Sequence, residues 1–127
     1  MRDFYKLEIW NLGYELTLDF YKLTENFPLD EKNNLTSQIR RASSSIPLNI
    51  AEGSSRFTNK AYLQFLNYAY GSCRELEVLL LLSKDLNYIE IEKIDKLSKK
   101  LYKFINRVSE NNIYNYGLLY LLLNKIF

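Results

Sequence analysis

The sequence contains no histidine, one cysteine, four glycines and two prolines among its 127 residues. Histidine is the commonest general base and the commonest metal ligand, so its absence predicts a protein without catalytic residues, metal or cofactor. The lone Cys73 cannot form an intramolecular disulfide. This favours a role for Cys73 as a small core residue and a reducing cytoplasm as the location of the protein. The scarcity of glycine and proline argues against a sheet protein with many turns and favours long helices.

Other absences narrow the class of protein further. The longest apolar stretch, residues 117–123, is much shorter than the roughly 20 residues that cross a bilayer, so we expect no membrane span. The first ten residues contain no apolar signal region, which favours an intracellular protein. The glycine-rich loops GxxxxGK[ST] and GxGxxG are absent, so no such loop can bind phosphate groups.

Helical periodicity dominates the remaining pattern. Apolar and small residues recur at steps of three and four, which predicts helices over about 6–26, from Asp30 to about Gly53, from Thr58 to about Leu86, and over 90–110. Asp30 and Thr58 are candidate N-caps. Short connections imply antiparallel neighbours. We therefore predict an all-α protein, with one antiparallel up-and-down four-helix bundle formed by residues 1–110.

The same spacing predicts the core-facing side of each helix. The first helix carries Trp10, Gly13, Tyr14, Thr17, Tyr21 and Thr24 on one face, and the second carries Leu35, Ile39, Ala42, Ile46, Ile50 and Gly53. The third presents Ala61, Phe65, Ala69, Ser72, Leu76, Leu79 and Ser83, and the fourth presents Ile91, Ile94, Leu97, Leu101, Phe104 and Val108. Residues 76–82 are apolar around most of the helix, which favours a homo-oligomer whose subunits cover the excess.

Pro47 lies within the second helix. Proline removes the backbone hydrogen bond to the Ser43 carbonyl. The apolar spacing stays in phase across Pro47, so we predict a kinked helix and not two short helices. The hydroxyls of residues 43–45 are candidate donors to the freed carbonyls.

Residues 111–127 form an apolar C-terminal extension that begins with the polar run NNIYNYG. A loose apolar tail would promote aggregation. We therefore expect a short extra helix that packs on the bundle or on a neighbouring subunit.

A stripe of basic residues marks the fourth helix. Lys93, Lys96, Lys100, Lys103 and Arg107 recur at steps of three and four, and Lys99 borders them. These six residues are called the basic stripe below. At 100° per residue they share one side of the helix, opposite the apolar face. Two interpretations remain open: a solvated outer face, or a track that binds the phosphate backbone of RNA or DNA.

Two further groups of polar residues surround the second helix. Arg40, Arg56 and Lys60 are candidates for a second basic cluster, for which structural and binding roles remain equally open. A polar ribbon beside the core is formed by Arg41, Ser45, Asn49, Glu52 and Arg56. Such a ribbon is typical of a seam between helices or subunits, and the seam is predicted to comprise Arg41, Ser45, Asn49, Glu52 and the adjoining Gly53. Close helix approach is expected at the small residues Ala42, Gly53, Ala69 and Gly71.

The segment QIRRASSSIPLNIAEGSSR at 38–56, with FPLDEKNNLTS before it and AYGSCREL after it, resembles a known family. The resemblance is to the proteins encoded within intervening sequences of bacterial 23S ribosomal RNA genes, and it extends from the opening RDFYKLEIW to about Tyr88. It implies a four-helix bundle, often a homopentamer, without established enzymatic activity. A relative, the accessory variability protein of diversity-generating retroelements, is a basic pentamer that binds nucleic acid and a reverse transcriptase.

The family motif maps onto Arg41, Ala42, Ser45, Ile46, Pro47, Asn49, Ile50, Ala51, Glu52 and Gly53, a spacing that suits architecture better than chemistry. Our first hypothesis is a non-enzymatic, oligomeric RNA- or DNA-binding protein. The alternative is a scaffold that docks a protein partner. A ribonuclease acting on its own intervening sequence is disfavoured because no acid–base pair is evident.

Overall fold

The computed structural model describes the backbone from Arg2 to Ile126 and the side chains of residues 2–110. It contains four α-helices: α1 (Glu8–Thr24), α2 (Leu35–Ser54), α3 (Asn59–Asp85) and α4 (Ile91–Ile126). Short 3-10 helices, Phe4–Lys6 and Leu29–Glu31, precede α1 and α2. The described chain has no strand, so the all-α prediction is confirmed.

The helices form an up-and-down bundle in which each packs against two neighbours. α2 contacts α1 and α3, and α4 contacts α3 and α1. At one end, the amide of Arg2 donates to the Ser54 carbonyl at 2.9 Å. Toward the other end, Nε of Arg40 donates to the Thr24 hydroxyl at 2.9 Å. The start of the chain therefore lies beside the end of α2, as an antiparallel arrangement requires.

The core is built from one buried face of every helix. All six residues predicted for the inner face of α2 are buried. Among the largest fully buried side chains are Phe20, Ile46, Leu66 and Phe104, one from each helix. Burial of each such side chain contributes about 1.5–3 kcal/mol, which makes this core the main source of stability.

The predicted inner faces of the other helices are partly wrong. In α1, Tyr14 and Tyr21 are exposed, and Leu16 and Phe20 enter the core. In α4, Ile91 lies on the surface with 76% exposure. In α3, the core also takes Tyr62, Leu63, Leu66, Cys73 and Leu80. These helices carry more apolar residues than one face can bury, so spacing alone does not select the buried set.

Of the two N-caps predicted from the sequence, one is confirmed and the other is wrong. The Thr58 hydroxyl accepts a hydrogen bond from the Ala61 amide at 3.1 Å, which confirms it as the N-cap of α3. Asp30 does not cap α2, because it lies within the second 3-10 helix. The carboxylate of Glu31 instead accepts from the Leu35 amide at 3.1 Å. The negative charge of an acidic group at a helix start is also stabilised by the positive end of the helix dipole.

α2 continues through Pro47 as one helix, so the prediction against two short helices is confirmed. The expected donors are wrong, however. The hydroxyls of Ser43, Ser44 and Ser45 bond to the carbonyls three residues before them. The Ser43 carbonyl, which Pro47 leaves without its helical partner, accepts from the Thr17 hydroxyl of α1.

The C-terminal extension does not begin a separate helix, since α4 is one element that ends at Ile126. The packing predicted for residues 111–127 lies outside the described side chains. Among the residues that the structure describes, no helix has both the length and the apolar character needed to cross a membrane.

Candidate nucleic-acid interface

The basic stripe of α4 lies beside α1, whose acidic residues face it. Nζ of Lys100 lies 2.8 Å from a carboxylate oxygen of Asp19. Nε of Arg107 lies 3.4 Å from a carboxylate oxygen of Glu8. Two members of the stripe are therefore partly neutralised across the α1–α4 seam. The positive charge of the stripe is interrupted because antiparallel packing places acidic groups of another helix next to it.

Three stripe residues also form ion pairs with nearby acidic residues along the chain. Lys99 lies 2.9 Å from Asp95, Lys93 lies 4.0 Å from Glu90, and Arg107 lies 2.9 Å from Glu110. The hydrogen bond to Glu110 is the main cause that raises the pKa of Arg107, which keeps this guanidinium charged. Exposed pairs at this spacing contribute only about 0.3–0.5 kcal/mol, so a phosphate can replace the carboxylate.

Lys96 and Lys103 make no ion pair or hydrogen bond with the described part of the chain. Residues 91–110 contain six basic and three acidic side chains, a net charge of +3. The whole chain carries a net charge of +2. The positive excess of the protein therefore resides on this segment of α4.

Two grooves border the stripe. On α4, an open groove of about 600 Å³ is lined by Ser98, Lys99, Tyr102, Lys103, Asn106, Arg107 and Glu110. Between α1 and α4, a groove of about 300 Å³ is lined by Asp19, Lys22, Leu23, Glu25, Asn26, Lys93, Lys96, Leu97 and Lys100. Ammonium groups around both grooves can bind anionic groups such as phosphates.

Arg40 is not brought together with Arg56 and Lys60. It lies at the α1–α2 seam, with its guanidinium 4.9 Å from the ring centroid of Tyr21. Arg56 follows the opposite end of α2, sixteen residues later, which corresponds to about 24 Å along a helix. The predicted second basic cluster therefore does not form with all three residues.

Arg56 joins the end of α2 to α3. Its guanidinium lies 3.0 Å from the Glu52 carboxylate and 4.7 Å from the ring centroid of Phe65. Its Nε is buried without a hydrogen-bond partner among the described residues. Lys60 is exposed on the first turn of α3. The contacts of Arg56 indicate a structural role at this turn.

The polar ribbon of α2 lies against α3. Arg41 pairs with Glu75 at 3.3 Å, and the hydroxyls of Ser45 and Ser72 are hydrogen-bonded. The Asn49 side chain donates to the Ser45 carbonyl at 2.8 Å within α2. The direct contacts of the ribbon thus connect helices within one chain.

Close helix approach depends on two glycines. A Cβ atom at Gly53 would lie 2.7 Å from Cβ of Phe65 in α3. A Cβ atom at Gly13, which was predicted on the core-facing side of the first helix but not among the residues of close helix approach, would lie 2.8 Å from Ile46. Gly71 has no atom within 4 Å of that position, so its expected role in close packing is wrong. The sequence alone does not show whether another helix packs closely against a given glycine.

The described residues contain no group of three or more His, Cys, Asp or Glu side chains that could hold a metal ion. Cys73 is buried in the bundle. Burial, with a smaller contribution from Glu77, raises the pKa of Cys73 to about 12. Its thiol is therefore protonated and unreactive at neutral pH.

A solved structure shares this fold. A protein of unknown function from the S23 ribosomal protein family of Bacteroides thetaiotaomicron superposes with a TM-score of 0.69 and 21% sequence identity, over 79% of this chain and 94% of that chain. Comparison with curated proteins gives no match. The family model described as 23S rRNA-intervening sequence protein matches residues 5–110, which include α1, α2, α3 and the first twenty residues of α4. The chain therefore belongs to the 23S rRNA-intervening sequence protein family.

Proposed function

We propose that this protein is a non-enzymatic, cytoplasmic homo-oligomer that binds nucleic acid, specifically RNA, through the outer face of α4. The observation that carries the proposal is the net charge of +3 on residues 91–110, together with two lysines, Lys96 and Lys103, that have no acidic partner in the described chain. Lysines on a helix face bind phosphates without reading sequence, because each contact releases counterions from the nucleic acid.

The length of the outer face of α4 suits a short stretch of nucleic-acid backbone. Lys96 and Lys103 are seven residues apart, about 10 Å along the helix axis. This distance is long enough for a few successive phosphates of one strand. Lys99 lies between them, and its pair with Asp95 is exposed on both sides. Phosphates can compete with Asp95 for that lysine at little cost.

Oligomerisation would place several copies of the basic face of α4 on one particle. The outer side of α3 exposes Val78 at 65%, Leu81 at 55% and Leu82 at 45%. A second copy of the chain that buries this patch would remove apolar surface from water and add a second α4 to the same particle. Several weak α4 faces on one particle would bind a long RNA more tightly than one face does.

The test is binding of a fluorescently labelled structured RNA over a series of salt concentrations. Three lysine contacts predict a log–log slope of about two to three, at roughly 0.7–0.9 per phosphate contact. The double variant Lys96→Glu/Lys103→Glu should lose at least about tenfold in affinity and flatten the slope. The control Lys6→Glu/Lys32→Glu changes the net charge equally at exposed positions outside α4 and should bind nearly as the wild type does. Wild-type binding without salt dependence would contradict the proposal.

The alternative function is a protein-interaction scaffold. A groove of about 420 Å³ between α3 and α4 is lined by Glu77, Leu80, Leu81, Lys84, Ile94, Ser98, Leu101 and Tyr102. Its apolar floor suits an apolar side chain from a protein partner. Such docking would be insensitive to salt and would survive the Lys96→Glu/Lys103→Glu change, which separates the two functions.

A further inference from the structure

Tyr102 is an exposed aromatic residue of α4 that adjoins the basic stripe. Its side chain is 66% exposed, and it makes no hydrogen bond, ring contact or cation contact with the described residues. By contrast, Tyr14 and Tyr21, which are also partly exposed, rest against Trp10 and Arg40. The ring of Tyr102 is therefore available to a ligand.

The neighbours of Tyr102 are suited to a nucleotide. Lys99, Lys103 and Asn106 line the same open groove as Tyr102. Lys99 and Asn106 lie about one helical turn before and after the ring, and Lys103 follows it directly in the sequence. The lysines can bind phosphates on either side of a base, and the Asn106 amide can donate to and accept from polar atoms of the base or sugar.

We propose that the nucleic acid bound at α4 is single-stranded, with one base stacked on the Tyr102 ring and the flanking phosphates bound by Lys99 and Lys103. This inference rests on the proposed function and specifies its ligand. Both faces of a base in a duplex are covered by neighbouring base pairs, whereas an unpaired base can offer one face to an aromatic ring. Stacking on a protein aromatic residue is tolerant of sequence, as is phosphate binding by lysine.

The test compares an unstructured RNA oligonucleotide of about ten nucleotides, containing 2-aminopurine, with the same oligonucleotide annealed to its complement. The wild type should bind the single strand more tightly and quench its 2-aminopurine fluorescence. Tyr102→Ala should weaken single-strand binding about 5- to 150-fold, the range for loss of one stacked base. Its salt slope should stay unchanged, because no phosphate contact is removed. Tyr102→Trp should retain affinity and quenching.

The matched control is Tyr68→Ala. Tyr68 is half exposed on α3, away from the basic stripe, so its removal should leave RNA binding unchanged. Circular dichroism should show that both alanine variants keep the helical content of the wild type.

Three results would overturn the stacking proposal. One is equal loss of single-strand and duplex binding in Tyr102→Ala, and a second is no loss in that variant. The third is a change of oligomeric state in Tyr102→Ala, measured by light scattering, without a change of affinity per subunit, which would place the ring in a subunit interface. If Lys96→Glu/Lys103→Glu still abolishes binding in these cases, the proposed function stands and only the stacking is wrong. If that variant binds normally, the proposed function fails as well.

Discussion

The hydroxyl oxygen of Thr17 lies 2.8 Å from the carbonyl oxygen of Ser43, and both residues are buried. Pro47 has no N–H to donate to this carbonyl, which lies four residues before it in α2. A side chain of α1 thus completes the hydrogen bonding of α2. Because an unpaired buried carbonyl is costly, the Thr17 hydroxyl offsets the loss of the Pro47 donor when α1 covers this part of α2.

Replacing Thr17 by Val should lower the free energy of unfolding by about 1–3 kcal/mol, because the shape is kept while the buried carbonyl loses its donor. Thr17→Ser should cost less, since the hydroxyl remains. Pro47→Ala restores a helical N–H donor to Ser43, so Thr17→Val should be milder in that background. Urea unfolding of the four proteins in this double-mutant cycle measures the coupling. Strictly additive effects would contradict the assigned hydrogen bond.

Gly53 and Gly71 should respond in opposite directions to alanine. A Cβ atom at Gly53 meets Phe65 at 2.7 Å, whereas one at Gly71 meets no atom within 4 Å. Gly53→Ala should destabilise the bundle by about 1–3 kcal/mol through overpacking. Gly71→Ala should stabilise it by about 0.5–1 kcal/mol, since alanine is the better helix former. Thermal melts of both variants measure these changes. Equal shifts of the melting temperature in one direction would contradict the packing described for α2 and α3.

The Cys73 thiol should resist modification in the folded protein. Burial raises its pKa to about 12 from a reference value of 9.0, so almost no thiolate is present at pH 8. Dithiobisnitrobenzoate should react slowly with the native protein and at once after denaturation. Because the unfolded state releases the thiol proton first, this group should lower stability as pH rises from about 9 toward 12. Rapid native-state labelling at pH 8 would show that the thiol is accessible.

The acidic side of α1 should weaken RNA binding, if RNA binds as proposed. Asp19 holds Lys100 at 2.8 Å, and Asp19→Asn keeps the size of the side chain while removing its charge. Affinity for RNA should rise a few-fold at low salt. The gain should disappear at high salt, because salt screens the repulsion between the Asp19 carboxylate and the RNA phosphates. Asp85→Asn, at the last residue of α3, is the control for an equal change in net charge. An equal gain in both variants would show a nonspecific effect of net charge.

The same ion pair should contribute little to folding. Both side chains of the Asp19–Lys100 pair are more than one-third exposed to solvent, and exposed pairs typically contribute less than about 1 kcal/mol. The Asp19→Asn protein should therefore unfold at nearly the wild-type urea concentration. A large loss of stability would mean that the seam, and not the core, holds α1 against α4.

The sequence predicted the bundle because its determinants are local. The spacing of Leu35, Ile39 and Ile46 marks one face of a helix, and Thr58 carries the side chain that caps the next one. The donor to Ser43 could not be predicted, since Thr17 precedes it by 26 residues and reaches it only after the helices pack.

The candidate site was predicted less completely than the fold. The lysines of α4 share a side because helical geometry is regular, and this follows from the sequence. Their neutralisation by Asp19 and Glu8 depends on the register between the first and last helices. No spacing within α4 contains that information. The exposure of Tyr102 was missed for a related reason, since only the packed bundle shows which aromatic rings remain uncovered.

The seam between α1 and α4 joins parts of the chain that are far apart in sequence, since Asp19 and Lys100 are 81 positions apart. Neighbouring helices can pair through short loops, but this contact requires the whole chain to come together and is the slowest kind to form. Attraction between the opposite charges on the two helices acts over a longer distance than contact between their apolar side chains. The electrostatic attraction that contributes little to the stability of the finished bundle can therefore still guide the final step of its assembly.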